Sequence, residues 1–181
     1  SGLTRTKGFI LEDGSLLFLQ LLFLFFLILL NAFFASSEVA LISLKPAVIR
    51  RLGQEGGARG RRLVRLTENS GRFLATVQVG VTFAGFMASA FAAESFSDPV
   101  TDLLCDSGVT FLPRGTLDGI IVVLITLILS YLSLVFGELV PKQLGLRYAE
   151  QVALYAAGPI DFTAKVTAPF VRLLNASVNG V

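Results

Sequence analysis

The chain has 181 residues, 54% hydrophobic and 15% charged, and a mean hydropathy of +0.74, which excludes an ordinary water-exposed globular surface. Its 15 basic and 13 acidic residues leave a net charge of only +2, so overall charge points to no nucleic-acid partner. No His, no Trp and a single Cys, Cys105, exclude zinc sites built from His and Cys, Cys/His or Ser/His catalysis, and an intramolecular disulfide; the expectation is a protein that is not an enzyme and holds no cofactor.

These features predict an all-α integral membrane protein, with three transmembrane helices and short interfacial or juxtamembrane helices. The opening Ser1-Gly2 reads as a remnant of tag removal, and residues 1–13 as an extracytoplasmic segment ahead of a transmembrane domain over 14–181. Gly14 to Ser37 is uncharged and mostly Leu and Phe, longer than the ~20 residues a helix needs to cross the hydrocarbon, and gives a first span over about 14–44. The stretch from Lys45 to Arg72 is rich in arginine, which makes it cytoplasmic by the positive-inside rule, and its glycines at 53, 56, 57 and 60 predict a break between two interfacial helices. Anionic lipid headgroups suit this stretch better than nucleic acid, because it lacks interleaved aromatics and lies between two spans.

A second span is predicted over 73–93 and a third over about 119–140. The connection between them carries Glu94, Asp98, Asp102, Asp106 and Asp118 against Arg114 alone, and its scarcity of basic residues places it outside. The expected topology is a multi-pass protein of the cell (inner) membrane, N-terminus outside and C-terminus cytoplasmic. The Ala- and Gly-rich run from Gln151 to Ile160 reads as re-entrant or interfacial, within an interfacial helical segment over about 147–181, and the chain's end reads as that of a fragment.

The polar residues inside the spans are patterned. Gln20, Asn31 and Glu38, eleven and eighteen residues apart, fall within about 20° of one another on a helix and form one stripe. In the second span Thr76, Gly80, Ala84, Ala88 and Ala92 recur every four residues as a ridge for close helix packing, while Gln78, Thr82, Gly85 and Ser89 form a separate polar face. That face serves either hydrogen bonding between helices or a polar cavity. In the third span Pro141 removes a helical hydrogen bond, freeing the Gly137 carbonyl beside Glu138; this suits a cation, or else marks a helix end with Glu138 paired to Lys142.

Three segments in order, Asn31-Ala32-Phe33-Phe34-Ala35-Ser36-Ser37-Glu38-Val39-Ala40-Leu41, Thr76-Val77-Gln78-Val79-Gly80-Val81-Thr82 and Phe136-Gly137-Glu138-Leu139-Val140-Pro141-Lys142, resemble the transmembrane domain of the CorC/cyclin M family. The resemblance implies magnesium export, often sodium-driven, a homodimer, and a cytoplasmic region of paired CBS modules that lies outside this chain. Family members with a magnesium site carry Ser and Asn where this chain has Ala35 and Val81, so that two side-chain oxygens are replaced by carbon. The expected ligand set is therefore Glu138 and Gly80 with Ser36, Ser37, Glu38, Gln78 and Thr82, Glu38 and Glu138 forming charged walls. Magnesium is the expected substrate and sodium a coupling ion. A branch with the Thr-x-Gln-x-Gly-x-Thr pattern resembles exporters of polyamines such as putrescine or cadaverine, and a membrane anchor without transport is the remaining alternative.

Overall fold

The uncharged Leu- and Phe-rich run folds as one helix, α1 (Leu3–Ser43), in a computed structural model that describes residues 3–106 and 113–179. Ser1, Gly2, residues 107–112 of the connection between the second and third spans and residues 180–181 lie outside the described residues, as does the side chain of Cys105. The described residues contain no strand.

A helical hairpin follows, α2 (Pro46–Glu55) and α3 (Gly57–Glu68). Pro46 opens α2 at the first helical position, where a missing N–H costs nothing. The break falls at Gly56, between the helices, and at Gly57, whose φ of 58° is readily adopted only by glycine. Gly53 and Gly60 matter instead for close approach. A Cβ on Gly60 would run into the Leu52 carbonyl, so glycine lets the two helices touch backbone to backbone. The predicted glycine break is thus also a packing surface.

The second span is longer than the expected 73–93. Helix α4 (Ser70–Asp106) runs through Glu94 and Pro99 without ending, and its hydrogen-bonded continuation carries the polar residues beyond the apolar run. Helix α5 (Arg114–Leu134) starts the third span, and the buried Thr101 hydroxyl donates to the Asp118 carboxylate, tying α4 to α5. The third span also exceeds 119–140, because Pro141 does not end it. A π-turn (Val135–Leu139) is followed directly by α6 (Val140–Arg147). Among the described residues, three stretches are long and apolar enough to cross a membrane, Leu16–Ser43, Ser70–Asp102 and Gly115–Arg147.

Helices α7 (Ala149–Val166) and α8 (Ala168–Asn179) complete the chain. The run from Gln151 to Ile160, expected as a re-entrant or interfacial segment, is not among the candidate spans of the described residues, and its Ala153, Ala156, Ala157 and Ile160 are buried in a core shared with Phe34 and Leu41 of α1, Leu63 of α3 and Val77 of α4. Small side chains let α7 press close to its neighbours, while its polar edge pairs Glu150 with Arg51 at 2.7 Å and sets Tyr155 under the Arg59 guanidinium. That ion pair is about half exposed and contributes little stability.

The small-residue ridge of α4 packs as its spacing predicts. Thr76, Ala84, Ala88 and Ala92 are buried, Ala88 and Ala92 against Leu24 and Leu27 of α1. The Phe34 ring covers Gly80, where a Cβ would stand 2.8 Å from the ring. Two apolar clusters therefore bracket the middle of α1, and Asn31 lies between them in sequence.

Candidate cation site

A proline at position 141 of a continuous helix would clash with the carbonyl four residues earlier, that of Gly137. The π-turn accommodates this by widening the backbone: the Val140 N–H donates to the Val135 carbonyl, five residues back. The freed Gly137 carbonyl finds a new hydrogen-bond donor. Asn31 Nδ2 donates to it at 3.2 Å across the interface with α1. Gly137 must be small for this, since a Cβ would lie 2.8 Å from the same amide nitrogen. A buried carbonyl without its helical partner needs another donor, and the buried Asn31 amide supplies it.

The bond leaves the other half of the amide without a partner. Asn31 is 5% exposed, and its Oδ1 is buried with no hydrogen bond. An orphaned buried acceptor costs about 1–3 kcal/mol unless a donor or a cation meets it. Beside it lies a cavity of about 360 Å³ between α1, α4, α5 and the π-turn. Its oxygen-bearing lining is Asn31, Thr82, Ser89, Ser130, Ser133 and Glu138, and its carbon lining includes Val81, Phe86 and Leu134. Glu138 is the one carboxylate among the described lining residues, and no Lys or Arg is among them. Oxygens around a single negative charge accommodate a cation and repel an anion.

Lys142 supplies a counter-charge from outside the lining. Its Nζ lies 2.7 Å from Glu138 Oε1, with both side chains about a third exposed (33% and 35%). The pairing that the sequence offers as a helix-end feature is present, but the helix does not end there.

Of the seven residues expected to hold a cation, Glu138 and Thr82 come together in this cavity. Gln78 stands one turn away, its amide donating to the Thr82 hydroxyl at 3.3 Å while it lines an apolar cleft with Phe83, Phe86 and Phe170. Gly80 faces Phe34. Ser36 and Ser37 turn their hydroxyls back to the Phe33 carbonyl, at 3.0 and 2.6 Å, as Ser commonly does inside a helix. Glu38 is half-buried on the stripe of Asn31 but two turns further along α1, about 10 Å on, and is not among the cavity's lining residues. The two carboxylates expected as charged walls do not both line this cavity.

The residues that reasoning from sequence did not assign to the site are Asn31, Ser89, Ser130 and Ser133. Asn31 and Ser89 are both readable as polar faces. The Ser130–Ser133 pair is a spacing of three on one helix face, a signal legible in an otherwise apolar span. Replacing Asn31 with Leu, similar in size, is expected to cost about 1–2 kcal/mol through the unpaired Gly137 carbonyl and to weaken cation binding with it. Thermal unfolding and a cation titration on the same preparation check both halves.

Comparison with known proteins agrees with this architecture. The Cyclin M transmembrane N-terminal domain matches residues 22–181. UPF0053 protein sll0260 of Synechocystis sp. is 32% identical over 163 residues, covering 90% of this chain and 36% of the relative. UPF0053 protein YugS of Bacillus subtilis is 28% identical over 91% of this chain and 38% of its own length. The polyamine export protein of Haemophilus influenzae is 28% identical over 90% of this chain and 37% of its own length. The chain thus spans between 36% and 38% of the length of these curated relatives. With its three apolar spans and its match over nearly the whole length, the chain is a multi-pass membrane protein that belongs to the cyclin M (CorC) transmembrane-domain family.

Proposed function

We propose that the chain is the membrane part of a cation exporter whose substrate is an aliphatic polyamine of the putrescine or cadaverine class. The observation that carries this reading is the mixed lining of the cavity, one carboxylate and neutral oxygens together with Val81, Phe86 and Leu134. An alkylammonium needs a carboxylate for its charge, acceptors for its N–H groups, and apolar wall for its methylenes. Glu138, the Thr82 and serine hydroxyls, and the three carbon side chains meet these needs in turn. The polyamine export proteins among the relatives support the same class.

Sodium-coupled magnesium export is the second reading, favoured by the family and by the oxygen-rich part of the lining. Magnesium is commonly held by one or two carboxylates and retained waters, so Glu138 alone does not exclude it. Val81, where the resemblance expects an Asn, puts carbon against the cavity and favours the methylene chain. As part of the proposed function the chain pairs with a second copy, catalyses no covalent step, and keeps its N-terminus outside and its arginine-rich hairpin on the cytoplasmic headgroups.

Titration of putrescine and of magnesium into the purified chain at matched ionic strength, so that screening is held constant, tests the reading. Tighter saturable binding of putrescine supports it, tighter binding of magnesium moves the assignment to the second reading, and saturation by neither overturns both. In the same titration Lys142→Met is expected to bind the cation about two- to fivefold more tightly, because the Lys142 ammonium competes for Glu138. The gain is small because the pair is partly exposed.

A further inference from the structure

We propose that the groove where α3, α4, α7 and α8 meet binds the phosphate of an anionic membrane lipid, with an acyl chain lying along α4 and α8. Two adjoining cavities, about 460 and 400 Å³, share Asn69 and Arg72. Arg65 of α3 lines one and Arg172 of α8 the other, with Arg72 of α4 in both, so three arginines from three helices line the joined groove. The acids in the lining are Glu68 and Asp161, and Asp161 is already paired with Lys165 at 2.9 Å. Among the described residues, none of the three arginines forms an ion pair. Arg72 Nη2 donates to the Ala164 carbonyl at 3.3 Å, which anchors its guanidinium to α7 and leaves its other N–H groups for an oxyanion.

Position distinguishes a lipid from free phosphate. Arg72 stands at the start of the Ser70–Asp102 span, with Phe73 and Val171 buried beside it, so the groove lies where headgroups meet hydrocarbon. Further along α4, about 9–21 Å from Arg72 by helical rise, is a mainly apolar cleft of about 390 Å³ lined by Gln78, Val79, Thr82, Phe83 and Phe86 together with Phe170 of α8; Thr82 and Phe86 also border the cation cavity. Phosphate site and acyl slot therefore share the same two helices, and along α4 the slot follows the arginine as tail follows headgroup in a phospholipid. The basic groove includes residues of α7 and α8 that are remote in sequence from the arginine-rich hairpin.

The test is binding of phosphatidylglycerol, with phosphatidylcholine as the neutral comparison, to the chain in nonionic detergent, read by thermophoresis with a fluorophore on the N-terminal amine. Saturable binding of phosphatidylglycerol is expected, weakened about thirtyfold by Arg72→Gln/Arg172→Gln at roughly one basic residue's share each. Phe170→Gln, an exposed position, is expected to weaken both lipids and keeps the test open if the double variant fails to fold. Unchanged binding in both variants, or an equal loss in Arg50→Gln/Arg61→Gln on the hairpin, overturns the site. Displacement of the lipid by inorganic phosphate at low millimolar concentration overturns the lipid assignment. Glu138→Gln leaves this binding intact, so its outcome is independent of the polyamine reading.

Discussion

Glu138→Gln is expected to reduce cation affinity by about ten- to a hundredfold while leaving the fold unchanged. Gln preserves the size of the side chain and removes the single negative charge among the described lining residues of the cavity. A hydrogen bond to a charged partner is worth about 1.5–3 kcal/mol, the origin of that range. Loss of the charge also releases Lys142, whose partner at 2.7 Å it is. The released lysine sits outside the lining and is partly exposed, so the helix itself does not depend on the pair. Titration of putrescine and magnesium against the variant, with circular dichroism to confirm unchanged helix content, gives the result. Equal affinity in wild type and variant would remove Glu138 from the site, and with it the polyamine reading.

Gly145→Ala is expected to have the largest structural effect of any single methyl group on the transmembrane bundle. Gly145 of α6 lies against the backbone of Ser36 in α1, and a Cβ there runs into the Ser36 carbonyl oxygen and stands 3.1 Å from the Ser36 carbonyl carbon and Cα. Those atoms belong to a helix packed on two sides and cannot turn away as a side-chain end could. The two helices must separate, at a cost of about 1–3 kcal/mol for an overpacked interface. Two turns along α6 and the π-turn, the Asn31–Gly137 hydrogen bond crosses the same interface. The substitution is therefore expected to lower thermal stability and cation affinity together. Gly119→Ala, where a Cβ meets nothing within 4 Å, serves as the matched control and should change neither. A Gly145→Ala protein with unchanged melting and unchanged binding would show that α1 and α6 are not held this closely in the membrane.

The π-turn shows how far local rules reach. Pro141 announces that the Gly137 carbonyl loses its helical donor, and that much follows from covalent geometry. Whether the helix stops, kinks or widens depends on what packs around it. Here α1 and α6 meet closely through Gly145, the third span continues to Arg147, and the π-turn reconciles the proline with continuity. The donor that replaces the lost one comes from a residue 106 positions away, a pairing with no local sequence signature. The same limit applies to Glu38. Helical periodicity correctly sets it on the stripe of Asn31, but periodicity carries no information about which partner lies at which height, and the cavity stands beside Asn31.

The sequence by itself determined the class of protein, the three apolar spans, the glycine break of the α2–α3 hairpin and the small-residue face of α4, because each follows from the length and period of a local pattern. It also determined the family, through three motifs in order. The tertiary structure alone decided that α7 packs into the core, that Glu138 shares its cavity with Asn31 and the α5 serines rather than with Glu38, and that the Asn31 amide spends its donor on Gly137 and leaves its acceptor unpaired. These depend on the relative height and rotation of helices distant in sequence, which are set by where glycine and alanine permit contact between backbones.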